Sequence, residues 1–191
     1  MNAGHALKRL IDGNERYVTE RYAVIDVGIE RRAELAEGQY PFAVIVGCAD
    51  SRVPPEIVFD QGLGNLFVVR TAGEVVDDIV LGSVEYAVKY LDVRLIVVLG
   101  HEDCGAVEAA VVGTYHPGHI SAVVEAIGPA VEKAKTQKGD LLNNAIKANI
   151  DLNVYKLKSS SHILREAMMN KCLKIIGALY DIHDGYVEFK Y

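Results

Sequence analysis

The chain has no tryptophan and only five prolines and three cysteines in 191 residues, and each scarcity excludes something. Cys48, Cys104 and Cys172 are too few and too far apart for the disulfide framework of a small secreted domain, and an odd count leaves one over. Basic residues are outnumbered, 20 Lys plus Arg against 26 Asp plus Glu, for a net charge of −6. That balance argues against nucleic acid or an anionic membrane as a partner, since both require a basic face. No apolar run approaches the roughly 18 residues that span a bilayer. The longest, Ala43 to Ala49 and Leu95 to Leu99, have the length of strands. Asp12, Glu15 and Glu20 interrupt any apolar leader at the N-terminus, so the expected compartment is a reducing cytoplasm. There, cysteines serve as thiolate ligands or catalytic groups more often than as half-cystines.

What is present reads as one α/β domain over residues 1–191, with a helical arm over 1–38 and a core over 41–191. Leu7, Leu10, Ile11, Asn14 and Val18 follow the spacing of one helix face, with Lys8, Arg9, Asp12 and Glu15 opposite. That stripe must be buried on the chain's own core or on a neighbouring chain. A second helix is expected from Gly28 to Glu37. Phe42 to Gly47, Leu66 to Val69, Leu95 to Leu99 and Leu173 to Leu179 are short β-branched runs, suited to a parallel sheet. Helical patterns lie between them: Asp77 to Leu91, Gly105 to Val112, and Ser121 to Lys158 with a break near Gly139-Asp140. The cluster Ser159 to Ser161 caps one more helix. Tyr186 to Phe189, after the Asp184-Gly185 turn, alternates like an antiparallel edge strand. The expected fold is a mostly parallel sheet of four strands, order 2-1-3-4, plus that antiparallel edge strand, flanked by helices.

Reactive side chains sit at two strand ends. The run from Phe42 ends in Gly47-Cys48-Ala49-Asp50-Ser51-Arg52, and the run from Leu95 ends in Gly100-His101-Glu102-Asp103-Cys104-Gly105. Ligands of open α/β sheets bind outside the carboxyl ends of the strands, where neighbouring strands send their connections to opposite faces. If the first and third strands are neighbours, Cys48 converges with His101 and Cys104. His101 and Cys104, at i and i+3, are expected to meet on one side of a helical turn. Cys, His and Cys suit zinc, and three protein ligands leave a fourth tetrahedral position open. Taken singly, a cysteine after a strand is usually a small buried hydrophobe; two motifs on two strand ends favour the metal. Asp50 and Arg52 add a carboxylate and a guanidinium, either a turn-stabilising ion pair or a working dyad. Zinc with two thiolates and a neutral imidazole carries no net charge, so another group must help to activate a bound water. Asp50 can orient that water or can itself take the fourth position and close the site.

Four segments, Cys48-Ala-Asp-Ser-Arg-Val-Pro-Pro-Glu56, Phe67-Val-Val-Arg-Thr-Ala-Gly73, Glu85-Tyr-Ala-Val88 and Gly100-His-Glu-Asp-Cys-Gly-Ala106, resemble the β-class carbonic anhydrases. The resemblance implies one zinc ion per chain on Cys48, His101 and Cys104, with Asp50 and Arg52 as the catalytic dyad. It implies reversible hydration of carbon dioxide to bicarbonate by a zinc-bound hydroxide that Asp50 orients. It also implies a substrate site of Gln39, Phe67 and Tyr86, with the Gly105 backbone N–H as a further donor. Read alone, these would be a loop amide, a core strand residue and a packed aromatic. By the same resemblance the protein is a homodimer or an assembly of dimers, with the N-terminal helix on the partner.

Two positions depart from the family pattern. Ile45 stands where closed-site relatives carry Trp in an inhibitory bicarbonate pocket, and Glu74 stands where relatives more often have Asn. Gly62-Leu63-Gly64 begins a dinucleotide-binding match, but its third glycine would be Phe67 and it precedes a strand instead of following one. His116 and His119 are candidates for carrying the released proton, and Cys172 reads as a bystander thiol. The rival functions are hydrolysis of carbon disulfide or carbonyl sulfide on the same scaffold, and a closed, non-catalytic zinc protein.

Overall fold

In a computed structural model the structure describes residues 1–23, 27–114, 116–170 and 172–190. Five strands form one sheet: β1 Ala43–Cys48, β2 Leu66–Thr71, β3 Leu95–His101, β4 Lys174–Tyr180 and β5 Val187–Lys190. Their order is β2-β1-β3-β4-β5, parallel except for the β4–β5 pair, as the sequence pattern predicts. Every residue of β1 and β3 is buried, which is why their apolar runs do not alternate. β2 differs from this expectation. All six of its residues are only half-buried, because the strand lies at the edge of the sheet.

Among the described residues eight helices surround the sheet: α1 Ala3–Val18, α2 Ile29–Ala36, α3 Pro55–Val58, α4 Asp78–Tyr90, α5 Gly105–Val112, α6 Ile120–Ala134, α7 Leu141–Ser160 and α8 His162–Met169. Local chemistry starts and stops them. Side chains of Asp77, Asp140 and Ser161 accept the free N–H groups of Val80, Asn143 and Leu164 at the starts of α4, α7 and α8. Gly113, in the left-handed region at φ 66°, ends α5. α3 and a single 3-10 turn over Ala72–Glu74 escape the sequence reading, being too short for a hydrophobic period.

Strand alternation divides the core into two layers. Val44, Val46, Ile96 and Val98 face α4 through α8, whereas Ala43, Ile45, Leu95, Val97 and Leu99 face α1 and α3. Each fully buried aliphatic side chain contributes roughly 1.5–3 kcal/mol. Ala6, Leu7 and Leu10 of α1 belong to the second layer, so the amphipathic stripe lies on its own sheet. The resemblance places this helix on a partner chain. Ile11 and Val18, which the helical spacing assigns to the same stripe, are instead more than a third exposed. Ile45 is fully buried among the aliphatic residues of the second layer.

Candidate active site

The parallel pairing brings the two motif ends together. β1 and β3 are neighbours, Gly47 lying beside Leu99, so the next residues, Cys48 and Gly100-His101, emerge side by side at the carboxyl edge. Cys48 is the last residue of β1 and His101 the last of β3. Cys104 is the residue that precedes α5, brought back by a turn in which Asp103 takes φ 51°. The convergence is as expected, but its cause differs: a strand-to-helix turn, not a helical i, i+3 pair, brings His101 to Cys104. Asp103 and its Glu102 neighbour supply the reversal.

The ligand atoms of Cys48, His101 and Cys104 lie within 4.8 Å of one another, and all three residues are buried. The two sulfurs are 3.9 Å apart and unbonded. Two thiolates at about 2.3 Å from a tetrahedral zinc stand about 3.8 Å apart, so the spacing fits. His101 Nδ1 donates to the Glu102 carbonyl at 2.7 Å, which fixes the tautomer that leaves Nε2 a bare acceptor. That Nε2 is buried without a hydrogen-bond partner. The Cys104 thiol, donating to Cys48, holds the Cys48 thiol at about 4, aided by the Gly73 backbone N–H at 3.4 Å. Cys104 is pushed up by the same bond and by burial. A buried thiolate with no cation paired to it, beside an imidazole nitrogen without a hydrogen-bond partner, calls for a cation.

Asp50 stands at the open side of this set. Its two oxygens occupy the guanidinium fork of Arg52, Nε to Oδ1 at 3.0 Å and Nη2 to Oδ2 at 2.8 Å. Its Oδ2 lies 3.8 Å from His101 Nε2. The Arg52 hydrogen bonds hold this carboxyl at about 2 against a modest opposing effect of burial. Arg70, which the sequence reading passed over, fastens the loop: Nε donates to the Cys48 carbonyl at 2.8 Å and Nη2 to the Asp50 carbonyl. The detectable signal was a cation inside an otherwise apolar strand. Glu74 is also more than a departure from pattern. It is fully buried, its carboxyl is pushed up to about 8 by burial and then by the Cys48 charge, and only one of its oxygens is bonded.

The carbonic anhydrase family model matches residues 43–187 of the chain. Carbonic anhydrase 2 of Mycobacterium tuberculosis is 46% identical over 184 residues, covering 94% of this chain and 89% of that protein. This chain belongs to the β-class carbonic anhydrases. A carbonic anhydrase of Mycolicibacterium smegmatis is 42% identical over 189 residues, covering 97% of this chain and 92% of its own. One of two tetrameric β-carbonic anhydrases of Sordaria macrospora superposes with a TM-score of 0.76 at 25% identity, over 83% of this chain and 84% of that one. The enzyme is a zinc-dependent lyase that interconverts carbon dioxide and bicarbonate, and the Cys48, His101 and Cys104 set fits its metal.

Other expected residues of this β-class enzyme fall elsewhere. Gln39 and Tyr86 line one exposed hollow, and the Phe67 ring lies 6.4 Å from that of Tyr86. Phe67 pairs with Val44 and Thr71 with Cys48, so Phe67 sits four residues down β2 from the metal-binding end. At about 3.3 Å per residue that is roughly 13 Å. Gly105 opens α5 beside Cys104, with free space where a Cβ would stand. His116 bonds the Ala109 carbonyl and His119 precedes α6, both past the far end of α5. Cys172 donates to the Ala167 carbonyl at 3.0 Å.

Proposed function

We propose that Cys48, His101 and Cys104 hold the zinc ion and that Asp50, held by Arg52, is the catalytic carboxylate rather than a fourth ligand. When bound, zinc supplies the Lewis acidity that makes a water molecule acidic enough to react near neutral pH. The protein does the rest. Two thiolates and a neutral imidazole already balance the ion's charge, so water activation leans on a fixed acceptor. Asp50 accepts a hydrogen bond from the attacking water and keeps its lone pair turned to the substrate carbon. Arg52 fills both carboxylate oxygens from the far side and keeps Asp50 ionised and in place. The observation that carries this reading is the bidentate Arg52 fork on Asp50, 3.8 Å from His101 Nε2.

Gln39, Phe67 and Tyr86, with the Gly105 N–H, form the amide-and-aromatic enclosure that a small linear apolar substrate requires. Gln39, Phe67 and Tyr86 of one chain serve a second copy's metal, since Phe67 lies four residues down β2 from its own metal-binding end and Gln39 and Tyr86 line the hollow beside it. The exposed Ile79, Tyr40, Tyr86 and Tyr90 beside that edge strand support a homodimer, and the tetramers of Sordaria macrospora support an assembly of such dimers. Residues 1–191 act as one domain, with 1–38 an appendage to the 41–191 core. The three free cysteines suit a cytoplasmic location, and no described helix is long and apolar enough to cross a membrane.

Stopped-flow hydration of carbon dioxide by Asp50→Asn, compared at equal zinc content, tests the assignment. A loss on the order of 100-fold with zinc retained supports a general-base role; an unchanged rate removes Asp50 from it, and loss of zinc makes it a ligand.

A further inference from the structure

We propose that Asn149 of α7 is a positioning residue for the Cys48 thiolate, acting through the Gly73-Glu74 turn. The proposal rests on the reading of Cys48 as a zinc ligand. Gly73 donates its backbone N–H to Cys48 Sγ at 3.4 Å, so the placing of that one N–H sets both the sulfur's position and how much charge it gives up to a metal.

The turn that carries this N–H does not hold itself. Gly73 and Glu74 are consecutive left-handed residues at φ 65° and 43°, a conformation that a glutamate rarely adopts without outside support. Space dictates the glycine: a Cβ there would stand 2.7 Å from Ile127 Cδ1. The Asn149 amide supplies the support. Its Nδ2 donates to the Gly73 carbonyl and to Glu74 Oε1, each at 2.8 Å. One helical turn on, Asn153 Oδ1 accepts the Val76 N–H at 3.2 Å while its own amide donates to the Asn149 carbonyl at 3.1 Å. Thr71 Oγ1 closes the same turn locally by donating to the Val75 carbonyl at 2.9 Å, whereas the asparagines reach it from α7.

Both asparagines are 1% exposed among Ala145, Ile146 and Ile150, where an amide is costly unless its bonds are made. Three of their four side-chain hydrogen bonds go to residues 73 to 76, whose polar contact with the metal set is the Gly73 N–H, while Asn149 Oδ1 is left without a partner. The same helix also bears on the other ligand strand. A Cβ at Gly100, the residue before His101, would meet Ile150 Cγ1 at 2.6 Å and Glu74 Oε1 at 3.2 Å. Asn149 and Ile150 of α7, more than 40 residues beyond Cys104, thus brace the ends of both strands that carry the metal-binding residues.

The test is zinc affinity by chelator competition, read beside the thiolate-to-metal charge-transfer absorption of the cobalt-substituted enzyme. Asn149→Ala is expected to weaken zinc binding by about 10–100-fold, the usual effect of losing an outer hydrogen-bond partner, and to shift the charge-transfer band. Ile146→Ala, a core truncation on the same helix that removes no hydrogen bond to the turn, is expected to lower thermal stability while leaving affinity and band unchanged. Asn149→Thr keeps the bulk and offers one hydroxyl donor but cannot serve both acceptors. It is expected to weaken zinc to a smaller degree, and it decides the matter if the alanine variant does not fold. Wild-type affinity and spectrum in a folded Asn149 variant, or equal changes in Ile146→Ala, overturn the proposal. Cys48→Ser separates the two claims: if it keeps zinc, the ligand assignment fails; if it loses zinc while the Asn149 variants do not, only the role of Asn149 fails.

Discussion

Arg70 Nε donates to the carbonyl of Cys48 at 2.8 Å, and the same guanidinium reaches the carbonyl of Asp50. One side chain from the edge strand therefore holds the backbone on both sides of Ala49, fixing the spacing between the Cys48 thiol and the Asp50 carboxylate. Arg70→Ala is expected to cost about 1.5–3 kcal/mol in urea unfolding, the range for hydrogen bonds from a charged donor. Its kcat is expected to fall at least about tenfold because Asp50 loses its register. Arg70→Lys, with a point charge and no fork, should recover only part of either. A wild-type rate in a folded Arg70→Ala enzyme would show that the loop keeps its shape unaided.

The Asp50 carboxyl, held at about 2 by the hydrogen bonds of Arg52, is ionised throughout any working range. Its folded value lies below its unfolded one, so the pair's contribution to stability is complete above about pH 4 and fades as pH falls towards 2. Any inflection in rate between pH 5 and 8 therefore belongs to another group. In Arg52→Gln the carboxyl is expected to titrate closer to its ordinary value, and the acid limb of the pH–rate profile should move upward. An identical limb in both proteins would separate Asp50 from Arg52.

Glu74 runs the other way. Burial raises its carboxyl to about 8, so the folded protein keeps a proton that the unfolded chain gives up near pH 4.5. Between those values the unfolded state binds fewer protons, and stability falls as pH rises; above about 8 the dependence ends. Glu74→Gln keeps the acceptor for Asn149 and removes the ionisation. Thermal melts of the two proteins from pH 5 to 9 should diverge progressively, the glutamine variant being the more stable at the alkaline end. Parallel curves would mean that Glu74 is ionised in the fold.

Completion of each site by a second copy predicts complementation. On the proposed assignment Cys48→Ser lacks a ligand and Tyr86→Ala lacks part of the substrate wall, so each should be inactive or nearly so alone. If the two are unfolded and refolded together in equal amounts, half of the dimers are mixed and each mixed dimer holds one intact site, giving about a quarter of the wild-type activity per chain. No recovery in mixed dimers verified by mass would place the wall and the metal in the same chain.

Much of this enzyme was legible one residue at a time. The apolar runs that become β1 and β3 must be strands buried on both faces, since they are too short for helices and carry no polar side. Soft ligands placed directly after them fall at a sheet edge whatever the rest of the chain does. The alternation of strand and helix pointed to a parallel sheet, and the expected order 2-1-3-4 is the one the sheet adopts. The cap at Ser161 was local and readable for the same reason: it acts on an N–H group within three residues.

What tertiary structure decided were relations between distant residues. Arg70 in β2 looks like a misplaced charge until Cys48 and Asp50 arrive beside it, and Asn149 looks like a flaw in a helix core until Gly73 turns back onto it. The i, i+3 spacing of His101 and Cys104 suggested a helical turn, yet the chain reverses through Asp103 instead, because His101 is committed to β3 and cannot also be helical. Residue type and spacing alone determined the ligand set, since zinc selects by donor chemistry. The angle of each ligand, the ionisation of the carboxyls around it and the distance of Phe67 from its own metal depend on which elements meet, and no local pattern records that.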